Sequence, residues 1–263
     1  MIVAGCDIGS LTAKAVIMEN GNILADAVMR AKTRPSESAV EVMQMALEKA
    51  ELTMDDIGYT VGTGYGREQI PFVDQVESEI SCHAKGAWQT MPSVRMIIDI
   101  GGQDAKATRL DDNGNVARYI YNDKCASGTG RFLEVMAEAL EVPLEKLGEL
   151  AATSTEKLSI SNQCVIFAET EVVSLVNEGK ETADILNALH HSLAKRVSSL
   201  ARSIDVDTDI VMTGGVAKNV GVFKALSEAL GLPLKALNGV DPQIIGALGA
   251  AYYADEKTRE TKD

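Results

Sequence analysis

The chain contains the same short sequence pattern twice, and this repeat constrains the fold more than any other feature. Residues 7–14 read Asp-Ile-Gly-Ser-Leu-Thr-Ala-Lys and residues 99–106 read Asp-Ile-Gly-Gly-Gln-Asp-Ala-Lys, so Asp, Ile, Gly, Ala and Lys coincide at identical offsets. Apolar runs flank both copies, and each copy is followed by an Asn-Gly pair, at 20–21 and at 113–114. Asn-Gly favours a hairpin turn because both positions tolerate positive φ. We interpret the repeat as an internal duplication of a strand, a glycine turn, a second strand and a hairpin.

The rest of the chain predicts helices between strands. Apolar residues recur at helical spacing, and we expect helices at 36–50, 129–140, 143–152, 165–178 and 182–203. A strand at 210–213 runs into Gly214-Gly215 and a further helix. Helices that alternate with strands indicate an α/β fold. No low-complexity linker separates the two copies, so we expect the two halves to pack face to face around a cleft.

The 263-residue chain is acidic, with 25 basic and 38 acidic side chains and a formal net charge of −13. Binding to duplex nucleic acid needs a clustered basic face, which the sequence lacks, so we expect no nucleic-acid partner. We expect any nucleotide to be held by backbone amides and a metal ion instead. No stretch resembles a signal peptide or reaches the length of a membrane span, which predicts a cytoplasmic protein without a membrane partner.

Three predicted strands run directly into glycine turns, at 7–10, 99–102 and 212–215. Polyphosphates are bound by closely approaching backbone amides, and glycine permits this approach because it lacks a Cβ atom. Asp7 and Asp99 end two of the strands, where carboxylates suit a magnesium ion, directly or through water. The three turns together predict a nucleotide site.

The arrangement resembles the superfamily of actin, hexokinase and heat-shock ATPases, whose domains are ribonuclease H-like. The resemblance implies duplicated domains with an interdomain nucleotide cleft. The first subdomain comprises residues 1–95 plus 242–263, and the second comprises residues 96–241. The first two turns then hold the β- and γ-phosphates, and the third lies against the adenosine and α-phosphate. The implied nucleotide-binding residues are Gly9, Ser10, Leu11, Thr12, Ala13, Lys14, Gly101, Gly102, Gln103, Gly214, Gly215, Val216, Asn219 and Gln243. For Lys14 and Lys106, the alternative is a solvated strand residue.

Two of the four cysteines have the setting of metal ligands. Cys125 lies in a small-residue loop directly before a predicted helix, and Cys164 directly precedes the helix predicted at 165–178. A helix amino terminus lowers the pKa of a thiol and favours a negatively charged cluster, because its amides are unpaired. An iron–sulfur cluster usually takes four cysteines, so a symmetric dimer that contributes two from each chain is the simplest solution. We interpret Cys6 and Cys82 as packing residues.

Five motifs point to one family. They are Asp-Lys-Cys-Ala-Ser-Gly-Thr-Gly-Arg-Phe at 123–132, Phe-Ala-Glu-Thr-Glu-Val at 167–172, Gly-Thr-Gly-Tyr-Gly-Arg at 62–67, Glu-Ile-Ser-Cys-His-Ala at 79–84 and Asp-Ile-Gly-Gly-Gln-Asp at 99–104. Together they resemble the activator (component A) of 2-hydroxyacyl-CoA dehydratases. The wider family includes the ATPase subunits of benzoyl-CoA reductases and double-cubane cluster reductase systems. The resemblance covers residues 2–253.

This resemblance implies a homodimer with one [4Fe-4S] cluster at the subunit interface, ligated by Cys125 and Cys164 of both chains. It implies ATP hydrolysis coupled to delivery of a low-potential electron to an iron–sulfur dehydratase or reductase component. Ferredoxin or flavodoxin is the implied electron donor. The family pattern has Ser-Ser-Thr before the second cysteine, whereas this chain has Ser161-Asn162-Gln163, which leaves the partner enzyme open.

We predict four catalytic residues. Gln103 and Asp104 position the attacking water, while Asp7 and Asp99 organise magnesium. The helices after the two cysteines act as a lever between the cluster and the turn at 99–103. Two alternatives stay open, a small-molecule kinase and an ATP-gated scaffold of the same fold without a cluster. Iron-free protein that still hydrolyses ATP favours either alternative, and phosphorylation of an added acceptor then identifies the kinase.

Overall fold

The computed structural model describes residues 1–161, 164–237 and 239–260; Asn162 and Gln163, which precede the second predicted cluster ligand, lie outside the described residues. The strands of the first sheet are β1 (Ile2–Ile8), β2 (Thr12–Glu19), β3 (Asn22–Arg30), β4 (Tyr59–Thr63) and β5 (Gln75–Val76), in the order β3-β2-β1-β4-β5. β2 pairs antiparallel with β1 and β3, and β4 lies parallel to β1 and β5. The β2–β3 hairpin turns at Asn20 and Gly21, both with positive φ, as predicted.

The helices α1 (Pro35–Ala50) and α8 (Ile245–Glu260) pack against this sheet, and α2 (Glu79–Thr90) packs against α8. α2 and α8 approach so closely that a Cβ atom on Gly249 would lie 1.8 Å from the carbonyl oxygen of Cys82. Cys82 and Cys6 are fully buried, and burial raises the pKa of both thiols, that of Cys82 to about 12. The interpretation of both as packing residues is confirmed.

The second sheet contains β6 (Met96–Ile100), β7 (Ala105–Leu110), β8 (Val116–Asn122), β9 (Ile210–Thr213) and β10 (Leu234–Lys235), in the order β10-β9-β6-β7-β8. Its helices are α3 (Gly130–Ala139), α4 (Leu147–Ala151), α5 (Val165–Asn177), α6 (Thr182–Arg202) and α7 (Val220–Leu230). The predicted helices are therefore present. α4 is shorter than predicted because a 3-10 turn, Leu144–Lys146, occupies its first residues.

The two sheets have the same strand order. Read from the other edge, the second sheet runs β8-β7-β6-β9-β10, which matches β3-β2-β1-β4-β5 strand by strand. In both sheets the last two strands of this order are parallel. The duplication seen in the sequence therefore extends beyond the repeated hairpin to all five strands of each sheet.

The chain divides into two compact units. One comprises residues 1–97, 108–118 and those from 237 onward, and the other comprises residues 98–107 and 119–236. The subdomain boundaries drawn from the sequence, at 95 and 241, stay a prediction. None of the described helices has the length and apolarity needed to cross a bilayer.

Candidate functional site

The turn between β1 and β2 is shaped by a backbone hydrogen bond and a buried ion pair. The amide nitrogen of Gly9 donates to the carbonyl oxygen of Thr12 over 3.0 Å. Asp7 and Lys14 are direct partners in the antiparallel register, which places the Lys14 Nζ atom 3.0 Å from the Asp7 Oδ2 atom. The Lys14 side chain is 11% exposed and that of Asp7 is 2% exposed. Lys14 is therefore not a solvated strand residue.

The turn between β6 and β7 repeats these contacts. The amide nitrogen of Gly101 donates to the carbonyl oxygen of Asp104 over the same 3.0 Å. The Nζ atom of Lys106 lies 3.6 Å from Asp99 Oδ2 and 2.6 Å from Asp104 Oδ2. Lys106 is buried, so the solvated alternative is wrong for this lysine too. Equal sequence offsets thus place a lysine beside the strand-end aspartate in both halves of the duplication, and Asp104 adds a closer contact in the second half.

The two equivalent aspartates differ in what surrounds their second oxygen atom. Asp99 Oδ1 accepts a hydrogen bond from the Thr213 hydroxyl over 2.9 Å. Asp7 Oδ1 is buried and has no hydrogen-bond partner among the described residues. Burial of a carboxylate oxygen without a partner is unfavourable, because its lost hydration is not offset. Asp7 therefore has an oxygen available to a cation or to a cation-bound water.

A threonine–glycine turn follows the neighbouring strand in each sheet. Gly64 after β4 has φ +90°, and Gly214 after β9 has φ +85°. A Cβ atom on Gly64 would lie 2.4 Å from Asp7 Oδ1, and one on Gly214 would lie 2.8 Å from Asp99 Oδ1. Glycine is required at both positions for its conformation and for the close approach. Gly64 was named only within the family motif at 62–67, and its role beside Asp7 was not predicted, although the shared Val-x-Thr-Gly pattern at 61–64 and 211–214 signals it.

The predicted adenosine turn ends at a helix cap. The Asn219 Oδ1 atom accepts from the amides of Gly221 and Val222 at the start of α7, over 2.9 and 3.1 Å. The Asn219 Nδ2 atom lies 3.2 Å from Nε2 of His190, a buried residue of α6 whose pKa is lowered to about 4 by burial. A neutral imidazole therefore holds the amide that caps α7.

The remaining predicted nucleotide-binding residues fall into three exposure groups. Ala13, Gly214 and Val216 are buried, Ser10, Gln103 and Gly215 are exposed, and the intermediate ones are Gly9, Leu11, Thr12, Gly101, Gly102 and Gln243. The structure brings the second and third turns together, since a Cβ atom on Gly214 would lie 2.4 Å from the Ile100 carbonyl oxygen. Gln243 belongs to the unit that contains the first turn.

The second turn is hydrogen-bonded to the start of α3. The amide nitrogens of Gly130 and Arg131 donate to the carbonyl oxygens of Gly101 and Gly102, both over 2.8 Å. Gly130 is constrained sterically as well, because a Cβ atom there would lie 3.0 Å from the Gly101 carbonyl oxygen. Two amides that an isolated helix leaves unpaired are thus satisfied by the turn.

Cys125 lies in the loop between β8 and α3 and is partly exposed. The helix begins at Gly130, so Cys125 lies in the loop directly before it, as predicted. Its Sγ atom lies 3.0 Å from the Ser127 hydroxyl. This hydrogen bond, together with the nearby Arg196 guanidinium, holds the pKa of the Cys125 thiol below its ordinary value. The Ser127 hydroxyl in the loop and the Arg196 side chain in α6 therefore both favour the thiolate, the form of cysteine that binds a metal ion.

Cys164 is the N-cap residue of α5, as predicted, and it is exposed. Its carbonyl oxygen accepts the amide of Ala168 over 2.8 Å. The helix that follows carries apolar side chains at the surface, with exposed fractions between 48% and 70% at Ile166, Phe167, Val173 and Val176. An apolar helical surface directly after an exposed cysteine is typical of an interface.

Comparison with known proteins gives consistent matches along the whole chain. A model of the BadF/BadG/BcrA/BcrD ATPase family matches residues 4–254. The activator of lactoyl-CoA dehydratase from Anaerotignum propionicum is 46% identical over 261 residues, which cover 99% of this chain and 100% of that protein.

Solved structures agree with these matches. The activator of the 2-hydroxyisocaproyl-CoA dehydratase from Clostridium difficile, solved with bound ADPNP, has a TM-score of 0.96 and 42% identity, covering 100% of this chain and 97% of that one. The ROK hexokinase from Thermus thermophilus has a TM-score of 0.52 at 16% identity, covering 99% and 100% of the two chains. The predicted fold class, a duplicated α/β fold of the actin and hexokinase type, is confirmed.

Proposed function

We propose that this chain, which belongs to the BadF/BadG/BcrA/BcrD ATPase family, is an activator that uses ATP hydrolysis to deliver a low-potential electron from a [4Fe-4S] cluster to a dehydratase. The observation that carries the proposal is the pair of backbone hydrogen bonds between the Gly101–Gly102 turn and α3, the helix after the Cys125 loop. They join a phosphate-type turn to a candidate cluster ligand within one compact unit.

ATP is bound, in this proposal, through the three glycine turns. The turns at 9–14 and 101–103 hold the β- and γ-phosphates through backbone amides other than those of Gly9 and Gly101, which are bonded within the turns. The lysines beside the turns, Lys14 and Lys106, add positive charge. Gly214, Gly215 and Val216 lie against the adenosine and α-phosphate. Asn219 fixes the end of that turn through its cap of α7, and Gln243 contributes from the segment just before α8.

Magnesium fits this site because Asp7 offers a buried oxygen atom that no described group satisfies. Asp7 is therefore the residue that holds the ion, directly or through water, and the bound ion neutralises phosphate charge. Asp99, whose oxygens contact Thr213 and Lys106, instead orients the turn between β6 and β7 around the ion and the phosphates.

Orientation of the attacking water is assigned to Gln103 and Asp104. Gln103 is exposed in the turn, and the Asp104 carboxylate is held in place by Lys106 over 2.6 Å. The Asp104 carboxylate and the Gln103 amide oxygen in this turn can accept hydrogen bonds from the two O–H groups of a water molecule. Hydrolysis then converts ATP and water into ADP and phosphate.

The cluster is held by Cys125 and Cys164 of two copies of the chain. The donor set fits, because Cys125 is biased towards its thiolate and Cys164 is an exposed helix N-cap. When bound, a [4Fe-4S] cluster supplies storage for one electron at low potential. The exposed apolar side chains of α5 support burial of this region by the second copy.

Coupling between ATP hydrolysis and the cluster follows from the hydrogen bonds that join α3 to the Gly101–Gly102 turn. If a change in the γ-phosphate displaces Gly101 and Gly102, α3 must follow or its first amides lose their acceptors. The loop that carries Cys125 precedes this helix without any intervening element. Nucleotide state thereby sets the position of a cluster ligand, which tunes exposure and potential.

The partner enzyme is assigned from the relatives. Two proteins that match this chain over nearly their whole lengths are named as activators of lactoyl-CoA and 2-hydroxyisocaproyl-CoA dehydratases. We therefore assign a 2-hydroxyacyl-CoA dehydratase as the electron acceptor. One electron enters from a ferredoxin or flavodoxin, and the same electron leaves to the dehydratase.

The test is purification without oxygen, followed by an iron count and a visible spectrum. Wild-type protein is expected to be brown, with about four iron atoms per two chains. Cys125→Ala and Cys164→Ala each lose the iron, whereas the control Cys82→Ala retains it because that thiol is buried. Wild-type protein that hydrolyses ATP but is colourless and iron-free contradicts the proposal and favours a kinase or a scaffold.

A further inference from the structure

The connection between α4 and α5 is long and has no helix or strand in its described part, residues 152–161 and 164. It ends at Cys164, the second predicted cluster ligand. Connections of this length without regular structure are uncommon in compact domains and are usually functional. Side-chain contacts fasten its described part at two places, residues 154–156 and Ser161.

One contact fastens the start of the connection. Asp184 in the first turn of α6 is 2% exposed, and its Oδ1 atom accepts three hydrogen bonds. The donors are the Ser154 hydroxyl and the amides of Thr155 and Glu156, at 2.8, 2.7 and 2.8 Å. These bonds lower the pKa of Asp184, so the carboxylate is charged at neutral pH.

A second contact fastens the end of the connection beside the cysteine. The Ser161 amide donates to Glu171 Oε1 over 2.9 Å, and the Ser161 hydroxyl lies 3.0 Å from both Glu171 oxygens. Glu171 belongs to α5, two helical turns after Cys164. The carboxylate thus reaches back along its own helix to the residue three positions before the thiol.

We propose that Glu171 is a positioning residue for the cluster ligand Cys164, acting through Ser161. The inference rests on the proposed function, because it assumes that Cys164 binds iron. The carbonyl oxygen of Cys164 accepts the Ala168 amide, and Ser161, three residues before the cysteine, is bonded to Glu171, a clamp of two residues. Both contacts exist before iron arrives, so metal binding does not bear the entropy cost of ordering these two points.

The clamp differs from an ordinary surface contact in what its removal changes. A surface contact contributes to stability alone, and its loss shifts the unfolding midpoint slightly. Loss of a positioning contact leaves the fold intact and weakens iron retention instead. The conservative variant Glu171→Gln keeps an acceptor for the Ser161 amide and a donor for the Ser161 hydroxyl, so it is expected to retain iron nearly as well as wild type.

The experiment measures iron release to a ferrous chelator under anaerobic conditions. Glu171→Ala is expected to release iron about tenfold faster than wild type, which corresponds to about 1.4 kcal/mol. Glu171→Gln is expected to be close to wild type. The control Ser174→Ala, whose hydroxyl bonds the Thr170 carbonyl oxygen within α5, is expected to show no change. Equal rates of iron release from Glu171→Ala and wild type would contradict the proposal that Glu171 positions Cys164.

A second measurement separates this inference from the proposed function. In cluster-free protein, the Ser161 amide is expected to exchange its hydrogen about tenfold faster in Glu171→Ala than in wild type, because it loses its acceptor. Unchanged exchange overturns the clamp even if the wild-type protein binds iron. Absence of iron from wild type, with slow exchange at Ser161, contradicts the electron-transfer proposal and leaves the contact itself established.

Discussion

The amide nitrogen of Gly130 donates to the carbonyl oxygen of Gly101 over 2.8 Å, so the helix after the Cys125 loop begins on the phosphate-type turn of its own unit. The neighbouring Arg131 amide makes the same contact with Gly102. A Cβ atom on Gly130 would lie 3.0 Å from the Gly101 oxygen and 3.4 Å from the Cγ2 atom of Val216. The closeness of this contact is what makes the coupling testable by substitution.

Gly130→Val is expected to separate ATP hydrolysis from the cluster. Its branched side chain cannot fit against the Gly101 oxygen, so α3 must withdraw from the turn. We expect iron content within twofold of wild type and loss of at least about 90% of nucleotide-dependent electron delivery, a coupling of about 1.4 kcal/mol. Gly130→Ala, which adds one methyl group, should deliver electrons at a rate between those of Gly130→Val and wild type. Wild-type electron delivery by Gly130→Val would show that the contact transmits nothing.

Asp7→Asn and Asp99→Asn form a matched pair, because the two residues are equivalent by duplication. Asp7 has the unsatisfied oxygen, so Asp7→Asn is expected to lower ATP hydrolysis about 100-fold at fixed magnesium, with partial recovery at high magnesium. Asp99→Asn disturbs the contacts with Thr213 and Lys106, and added magnesium should not rescue it. ATP hydrolysis by both variants is measured in a magnesium titration. Rescue of Asp99→Asn alone would show that Asp99, and not Asp7, holds the ion.

Gly64→Ala is expected to destabilise the fold by about 3 kcal/mol. The residue has φ +90°, and the added Cβ atom would lie 2.4 Å from Asp7 Oδ1 and 2.6 Å from the Ile8 carbonyl oxygen. Gly179→Ala is the control, since Gly179 has φ +77° but nothing within 4 Å of the added atom, and should cost about 1 kcal/mol. Thermal unfolding of both variants isolates the clash from the backbone strain. Equal losses would mean that the close approach to Asp7 is unimportant.

Cys125 in cluster-free protein is expected to react with iodoacetamide at lower pH than an ordinary thiol. Its pKa is lowered chiefly by the Ser127 hydroxyl, so the reactive thiolate persists as the pH falls. Ser127→Ala removes that donor and should move the midpoint of the pH profile upward. A Cys164→Ser background leaves Cys125 as the reactive thiol, because Cys6 and Cys82 are buried. An unchanged midpoint in Ser127→Ala would contradict the assigned cause.

Local sequence patterns predicted the hairpins, because their determinants are close together in the chain. The offset between Asp7 and Lys14 fixes their pairing once β1 and β2 form a hairpin, and the same offset recurs at Asp99 and Lys106. The start of α5 at Cys164 was predictable for a similar reason, since the apolar periodicity begins directly after the cysteine.

Contacts between distant segments were not predictable in this way. The equivalence of Gly64 and Gly214 depends on the strand order of two sheets. The intervals before the two glycines also differ in length, because α3 to α6 separate β8 from β9 whereas α1 separates β3 from β4. The difference between Asp7 and Asp99 depends on one hydroxyl, that of Thr213, more than a hundred residues away from its acceptor. The apolar periodicity of α5 predicts a helix, but the same periodicity is found in helices buried in a core and in helices at an interface, so the exposure of this surface could not be predicted.

The central claim is that nucleotide state controls the surroundings of the cluster, and the rate of iron removal by a chelator measures this most directly. Anaerobically purified wild-type protein should lose iron at rates that differ about tenfold between saturating ATP with magnesium and ADP with magnesium. The difference should vanish in Gly130→Val. Equal rates with both nucleotides in wild-type protein, at full iron content, would contradict the account.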